Sequence, residues 1–329
     1  MTGYIIRRIL WFIPTLLAVS IVSFAIIQLP PGDYLTVLEA QMGAEGDYSP
    51  EVVERLRERF GFDQPFIVQY GKWMWAMLVH GDMGYSFEWR VPVSSLIGEY
   101  LALTVVVTGA TLVATWIIAL PIGIYSAVRP YSLFDYVATI IGFIGKATPN
   151  FLLALILMWL AFDYWGTDVS GLFSPEYANA PWSWAKVGDL IAHMWLPLIV
   201  LGTSGAASLI RQMRANVLDE LQKPYVEAAR AQGLPEWRVI LRYPVRVALN
   251  PFLSTIGTTI PELFSGAVTT AIVLNLPMAG PMLLRALISQ DMYLAGSFIF
   301  MLSVFTLIGT LVSDILLTLV DPRIQFDEA

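Results

Sequence analysis

Lys146, Glu262 and Asp314 are the ionisable residues that stand well inside apolar runs of this 329-residue chain. A charge at such depth costs about 2.5 to 3.5 kcal/mol on insertion scales, so each should face protein or water rather than lipid. Asp314 lies near the inner end of its run, where pairing or solvation suffices; Lys146 and Glu262 lie deeper and are expected to line a cavity. Three scattered charges make a poor proton relay, which counts against a proton-driven secondary transporter. A phosphate loop of the form Gly-x-x-x-x-Gly-Lys-Ser/Thr does not occur. The nearest fragment, Gly145-Lys146-Ala147, lacks both the spacing and the hydroxyl that would bind magnesium. His80 and His193 are far apart and stand in no metal-binding or nucleophile-activating pattern. No Gly-x-Ser-x-Gly elbow is present, which weakens an intramembrane hydrolase, and zero cysteines exclude thiolate chemistry and disulfides. The expectation is therefore a chain that is no enzyme and carries no metal or cofactor of its own.

The elements that hold these residues are apolar. With 57% hydrophobic and only 14% charged residues, the composition is that of a polytopic membrane protein, and nothing in it suggests nucleic-acid binding. Arg7 and Arg8 precede an uncharged run from Ile9 to Leu29, long enough to span a bilayer and longer than the core of most signal peptides. Further runs occupy about 101 to 128, 137 to 162, 191 to 210, 252 to 274 and 294 to 320. The fold class expected is thus an all-α integral membrane protein with six transmembrane helices. Its divisions are 1–29 (start and first span), 30–100 (outer segment), 101–320 (spans two to six, with a cytoplasmic loop at 211–251) and 321–329 (tail).

Orientation follows from Lys and Arg. Arg7, Arg8 and Arg129, together with Arg211, Arg214, Lys223, Arg230, Arg238, Arg242 and Arg246, mark the cytoplasmic faces. The segment from Pro30 to Tyr100 carries Arg55, Arg57, Arg59, Lys72 and Arg90 against eleven acidic residues and should lie outside, with the acidic 163–190 loop. Both termini then fall on the cytoplasmic side. Within the outer segment, Ser49-Pro50-Glu51 starts a helical pattern that Gly61 ends, and the aromatic stretch from Pro65 to Val79 suits the headgroup interface. Gly81, Asp82, Gly84 and Ser86 form a turn. Pro14, Pro121, Pro149, Pro197 and Pro261 sit inside spans, where proline kinks a helix and suits a translocation pathway.

One polar, basic island interrupts this pattern, PYVEAARAQGLPEWRVILRYPVRVALNP from Pro224 to Pro251. Pro224 suits a helix start, Gly233 a helix end and Pro235 the start of a second helix. Small alanines flanked by charges, Glu227-Ala228-Ala229-Arg230, would let another surface approach the backbone closely. An amphipathic helix on lipid headgroups is the plainer reading of the basic residues. Glu227, Ala228, Ala229 and Gly233, however, reproduce an EAA-x3-G motif, and with Arg242, Arg246 and Pro251 the chain resembles the membrane permease subunits of bacterial ABC importers, in their dipeptide/oligopeptide (peptide/oligosaccharide/nickel) branch. The Gly-Asp-x-Gly-x-Ser turn at Gly81 to Ser86 and the Thr148-Pro149-Asn150-Phe151 stretch resemble elements of the same family, and the likeness extends from Gly3 to about Arg323.

That resemblance implies an ABC importer type I-like permease core and a docking role for Glu227, Ala228, Ala229, Arg230 and Gly233 in a coupling helix. It also implies partners: a second homologous permease, two cytoplasmic ATPases that carry ATP and magnesium, a periplasmic or lipid-anchored solute-binding protein, and the lipid of a bacterial inner membrane. Pathway candidates are Lys146, Pro149, Glu262 and Ala271. Peptide-type members usually carry a glutamate where Ala271 stands, after Gly266-Ala267-Val268-Thr269-Thr270; its loss removes an attraction for a cationic amino terminus. A neutral oligosaccharide is therefore weighed evenly against a peptide, with a slight lean to sugar. An ATP-independent secondary transporter and an intramembrane enzyme are the alternatives.

Overall fold

The computed structural model describes residues 2–28, 64–166, 169–253 and 268–320, together with 35, 36, 39, 50, 51 and 53–55. Among the described residues, three helices are long and apolar enough to cross a membrane: Ile6–Gln28 within α1 (Thr2–Gln28), the whole of α3 (Val93–Val128), and Met292–Ile315 within α14 (Met292–Val320). At 1.5 Å per residue the 23 residues of the first span run about 35 Å, enough for a hydrocarbon core of about 30 Å. Two bent pairs are, taken together, also long and apolar enough to cross. These are α4 (Leu133–Ala147) with α5 (Asn150–Trp165), and α7 (Trp184–His193) with α8 (Trp195–Leu221). Of the run expected at 252–274, residues 254–267 lie outside the described residues, as do Pro261 and Glu262. The tail at 321–329 and most of the 50–60 helical pattern fall outside them too, although Pro50, Glu51 and 53–55 are helical.

Two expected spans differ from the sequence pattern. The third is broken rather than kinked: α4 and α5 meet at 102° across Thr148-Pro149. Thr148 turns its hydroxyl back to the Ile144 carbonyl at 2.8 Å, and Pro149, with ψ 134°, leaves the helical region and starts α5 afresh. The fourth does not end near 210. Helix α8 continues to Leu221, so Arg211 and Arg214 lie on a helix and not in a loop. Its last three turns carry enough apolar side chains, Met213 and Val217 among them, to stay packed after the lipid-facing pattern ends. Pro14 and Pro121 lie inside unbroken helices, and Pro197 sits in the first turn of α8.

The chain forms two compact units. The first comprises the described residues of Met1–Leu103 and Met278–Leu311. Here α1 packs on α2 (Phe66–His80) through Phe24, whose ring stacks on Trp73 at 5.5 Å and meets Phe66 and Tyr70 edge-on. Val93, Ile97, Met282, Ala286 and Phe298 complete this core with the short helix α13 (Ala279–Ile288). The aromatic stretch is thus a helix with one face buried by Trp73 and Met77 and another, through Ile67, Trp75 and Leu78, exposed. A two-residue hairpin, β1 (Tyr85–Ser86) against β2 (Val91–Pro92), follows it.

The second unit comprises the described residues of Thr104–Pro277 and of Val312–Asp327. Helix α8 is its centre. Small residues set its spacing from neighbours: a Cβ at Gly145 would lie 2.5 Å from the Thr203 methyl, and one at Gly123 would lie 2.7 Å from Met213 Cβ. Before it in the chain, α6 (Pro175–Ala178) precedes α7, and Asp189 holds Ser174 through both its N–H and its hydroxyl. After it follow α9 (Pro224–Ala231), α10 (Glu236–Arg242) and α11 (Pro244–Ala248). Helix α12 (Val268–Val273) packs against α5.

Candidate functional site

The island from Pro224 to Pro251 folds as a helix, a turn and two more short helices. Pro224 occupies the first turn of α9, where its missing N–H is no loss. Gly233 takes φ 75°, and its N–H bonds to the Arg230 carbonyl at 2.9 Å. A Cβ there would meet nothing within 4 Å, so the requirement for glycine is the left-handed backbone and not space. Pro235 precedes α10 as its cap rather than beginning it. The break between α10 and α11, at Tyr243-Pro244, has no counterpart in the expected two-helix reading.

Val226, Ala229 and Val239 are fully buried together, with Leu234 and Tyr243 packed on them. This corrects one expectation: Ala229 does not offer its methyl to a partner but closes the small core of the element itself, because α10 folds back over that face. Glu227, Ala228, Arg230 and Gly233 remain exposed. Arg230 bridges the turn to Glu236 at 2.7 Å, which holds the Glu236 carboxyl below its usual range. Tyr225, Trp237 and Leu241 add exposed apolar surface to the same element. The result is a self-supported platform with a mixed polar and aromatic outer face.

The outer turn is also built. Gly81 caps α2 with φ 66°, and the Asp82 carboxylate accepts the Gly84 N–H at 2.9 Å. Gly84, at φ 90°, lies where a Cβ would come within 2.9 Å of the Tyr293 ring. Ser86 then donates to Asp291 Oδ2 at 2.6 Å, and the N–H groups of Phe87 and Glu88 reach the same oxygen at 2.9 and 3.3 Å. Leu294 N–H reaches Oδ1 at 3.3 Å, so the same carboxylate also caps α14. Asp291 is 0% exposed. These donors favour its ionised form, but burial outweighs them and pushes its carboxyl above the usual range. The role of Asp291 was not legible beforehand. Its signal was a lone acid placed just before a long apolar run.

The pathway candidates are not brought together. Lys146 is exposed at the end of α4 and donates to Ser208 Oγ at 3.2 Å. Pro149 marks the 102° break. Ala271 is only 1% exposed, within the second unit, with its carbonyl accepting the Leu276 N–H at 2.8 Å. An ion pair unanticipated from sequence joins α4 to α8: Arg214 Nε and Nη2 each lie 2.8 Å from one oxygen of Asp135.

Fold and element together define an all-helical, multi-pass membrane protein that carries a folded helical platform between two of its apolar segments. Residues 119–326 match the family described as binding-protein-dependent transport system inner membrane component, and residues 1–108 match the N-terminal part of such membrane components. The chain belongs to this family. It is 35% identical over 327 residues to the oligopeptide transport system permease protein AppB of Bacillus subtilis, covering 99% of this chain and 100% of that one. It is 30% identical over 341 residues to the dipeptide transport system permease protein DppB of Escherichia coli K12, covering 99% of each. A putative peptide transport system permease protein of Brucella abortus is 32% identical over 328 residues, covering 99% of this chain and 100% of that one. The chain is accordingly a permease subunit of the dipeptide/oligopeptide type of ABC importer.

Proposed function

We propose that this subunit forms half of a translocation pathway for short peptides. It would do so beside a second permease, receiving solute from an external binding protein and driven by two cytoplasmic ATPases that dock on Pro224–Ala248. The observation that carries the docking reading is the division of the EAA motif by burial. Val226 and Ala229 stabilise the platform from within, while Glu227, Ala228 and Arg230 stay exposed, Arg230 in an ion pair with Glu236 of the same element. ATP and magnesium belong to the partners in this reading. The N-terminus, the platform and the tail share the cytoplasmic side, as the arginines direct.

The balance of substrates shifts from sugar to peptide for two reasons. The relatives above are named for oligopeptide, dipeptide or peptide transport. The lean to sugar rested on Ala271, and that side chain is buried within its own unit, away from where a passing solute would sense a missing carboxylate. Uptake into proteoliposomes that hold the full transporter tests this. ATP-dependent accumulation of labelled di- or oligopeptides, unaffected by excess oligosaccharide, is expected. The reverse pattern would falsify the peptide assignment.

A further inference from the structure

We propose that the Asp135–Arg214 pair is a positioning device that locks α4 to α8, so that movement of the platform reaches the break at Thr148-Pro149 without slippage. The inference rests on the docking role of Pro224–Ala248 and adds the residues that would transmit its motion. Arg214 meets Asp135 with a two-pronged fork, Nε to Oδ1 and Nη2 to Oδ2, each at 2.8 Å. A planar fork fixes orientation as well as distance, which a point charge does not. The same carboxylate accepts the Tyr131 N–H at 2.9 Å, where Tyr131 holds φ 62°, and Ser132 Oγ accepts the Asp135 N–H at 3.3 Å. One acid therefore holds the turn between α3 and α4, beside the Ser132 cap, and ties α4 to α8.

Stability alone is a poor reason for such a pair. A largely buried ion pair gains little over apolar residues of the same size, and its best-attested use is to fix one register. The surroundings agree with register. Farther along α4, Gly142 approaches Ala207 and Gly145 approaches Thr203, so the two helices are in close contact and resist sliding. Toward the platform, Met213 and Val217 of α8 share a core with Ile240, Val245, Ala248 and Phe252, and Asn216 Nδ2 donates to the Ala248 carbonyl at 3.3 Å. Arg214 stands among the residues of the second zone on α8 and reaches across to Asp135 in the first turn of α4. The packed series platform, α8, α4 ends at the 102° bend, where backbone direction changes sharply.

The test uses the assembled transporter in liposomes. Arg214→Lys keeps the charge and loses the fork; solute taken up per ATP hydrolysed should fall about tenfold, in the usual range of a coupling between sites, while complex yield and the KM for ATP hold. Asp135→Asn should cause a similar loss, and the double variant no more than either, because the two act as one unit. Losses that multiply, or an unchanged ratio in both single variants, overturn the proposal. A second measurement does not depend on those variants assembling. The chain has no cysteine, so spin labels at Ile144→Cys on α4 and Trp237→Cys on α10, positions 62% and 60% exposed, report one distance. That distance should stay constant through the ATP cycle, and a shift overturns the locked series. Glu227→Lys separates the two levels: if it uncouples transport while Arg214→Lys does not, the docking reading stands and the lock falls.

Discussion

Asp291 shows how much one side chain can organise. Its carboxylate collects Ser86, Phe87, Glu88 and Leu294, which explains why the Gly81 to Ser86 motif ends in a hydroxyl residue. Asp291→Asn keeps the shape but turns an amide N–H toward donors, leaving buried groups unsatisfied at a cost of about 1–3 kcal/mol. A lower midpoint in detergent thermal unfolding, with faster proteolysis at the hairpin, is expected. The pH dependence has a definite sign. Burial raises the folded carboxyl above its unfolded value, so the folded state binds the proton more tightly. This group's contribution to stability then declines as pH rises from about 4, the ordinary aspartate value, through the raised value. The Asn variant should lose that slope; an identical pH profile in parent and variant would refute the burial argument.

At the scale of elements, the platform is a small fold in itself, and its turn depends on backbone rather than on contact. Gly233→Val forces a β-branched residue into the left-handed region, at about 1–2 kcal/mol. Asn accepts that region more readily, so Gly233→Asn should retain most ATPase binding and uptake while Gly233→Val loses them, each measured by co-purification and by transport. Equal loss in both variants would mean that a partner needs the bare Cα face of Gly233, not its φ of 75°. Membrane insertion should be the same for all, because the apolar spans are untouched.

At the scale of the whole molecule, the subunit has ionisable groups but no described constellation for hydrolysis. Purified alone it is expected to show no ATP turnover, while the complete importer shows turnover stimulated by the loaded binding protein. A steady nucleotide hydrolysis by the isolated subunit, scaling with its concentration and absent from a mock preparation, would count against the division of labour. The compact units also cut across sequence order, since 278–311 pack with the N-terminal hundred residues through Met282, Ala286 and Phe298.

Sequence alone determined the membrane class, the places of most spans and the helical island from Pro224 to Pro251. Apolar runs about 20 residues long have one stable solution in lipid, and Pro224, Gly233 and Pro235 carry local backbone preferences that tertiary context did not override. Tertiary structure alone decided the rest. Asp135 and Arg214 are 79 residues apart, and Ser86 and Asp291 are 205 apart; no local pattern announces which charges will meet. The bend at Pro149 also needed three dimensions, since proline permits either a kink or a break, and here the restart of α5 after an extended Pro149 gave the break. Ala229 was misassigned for the same reason: a methyl at helical spacing fits an inner or an outer face equally well, and only the return of α10 over α9 chose the inner one.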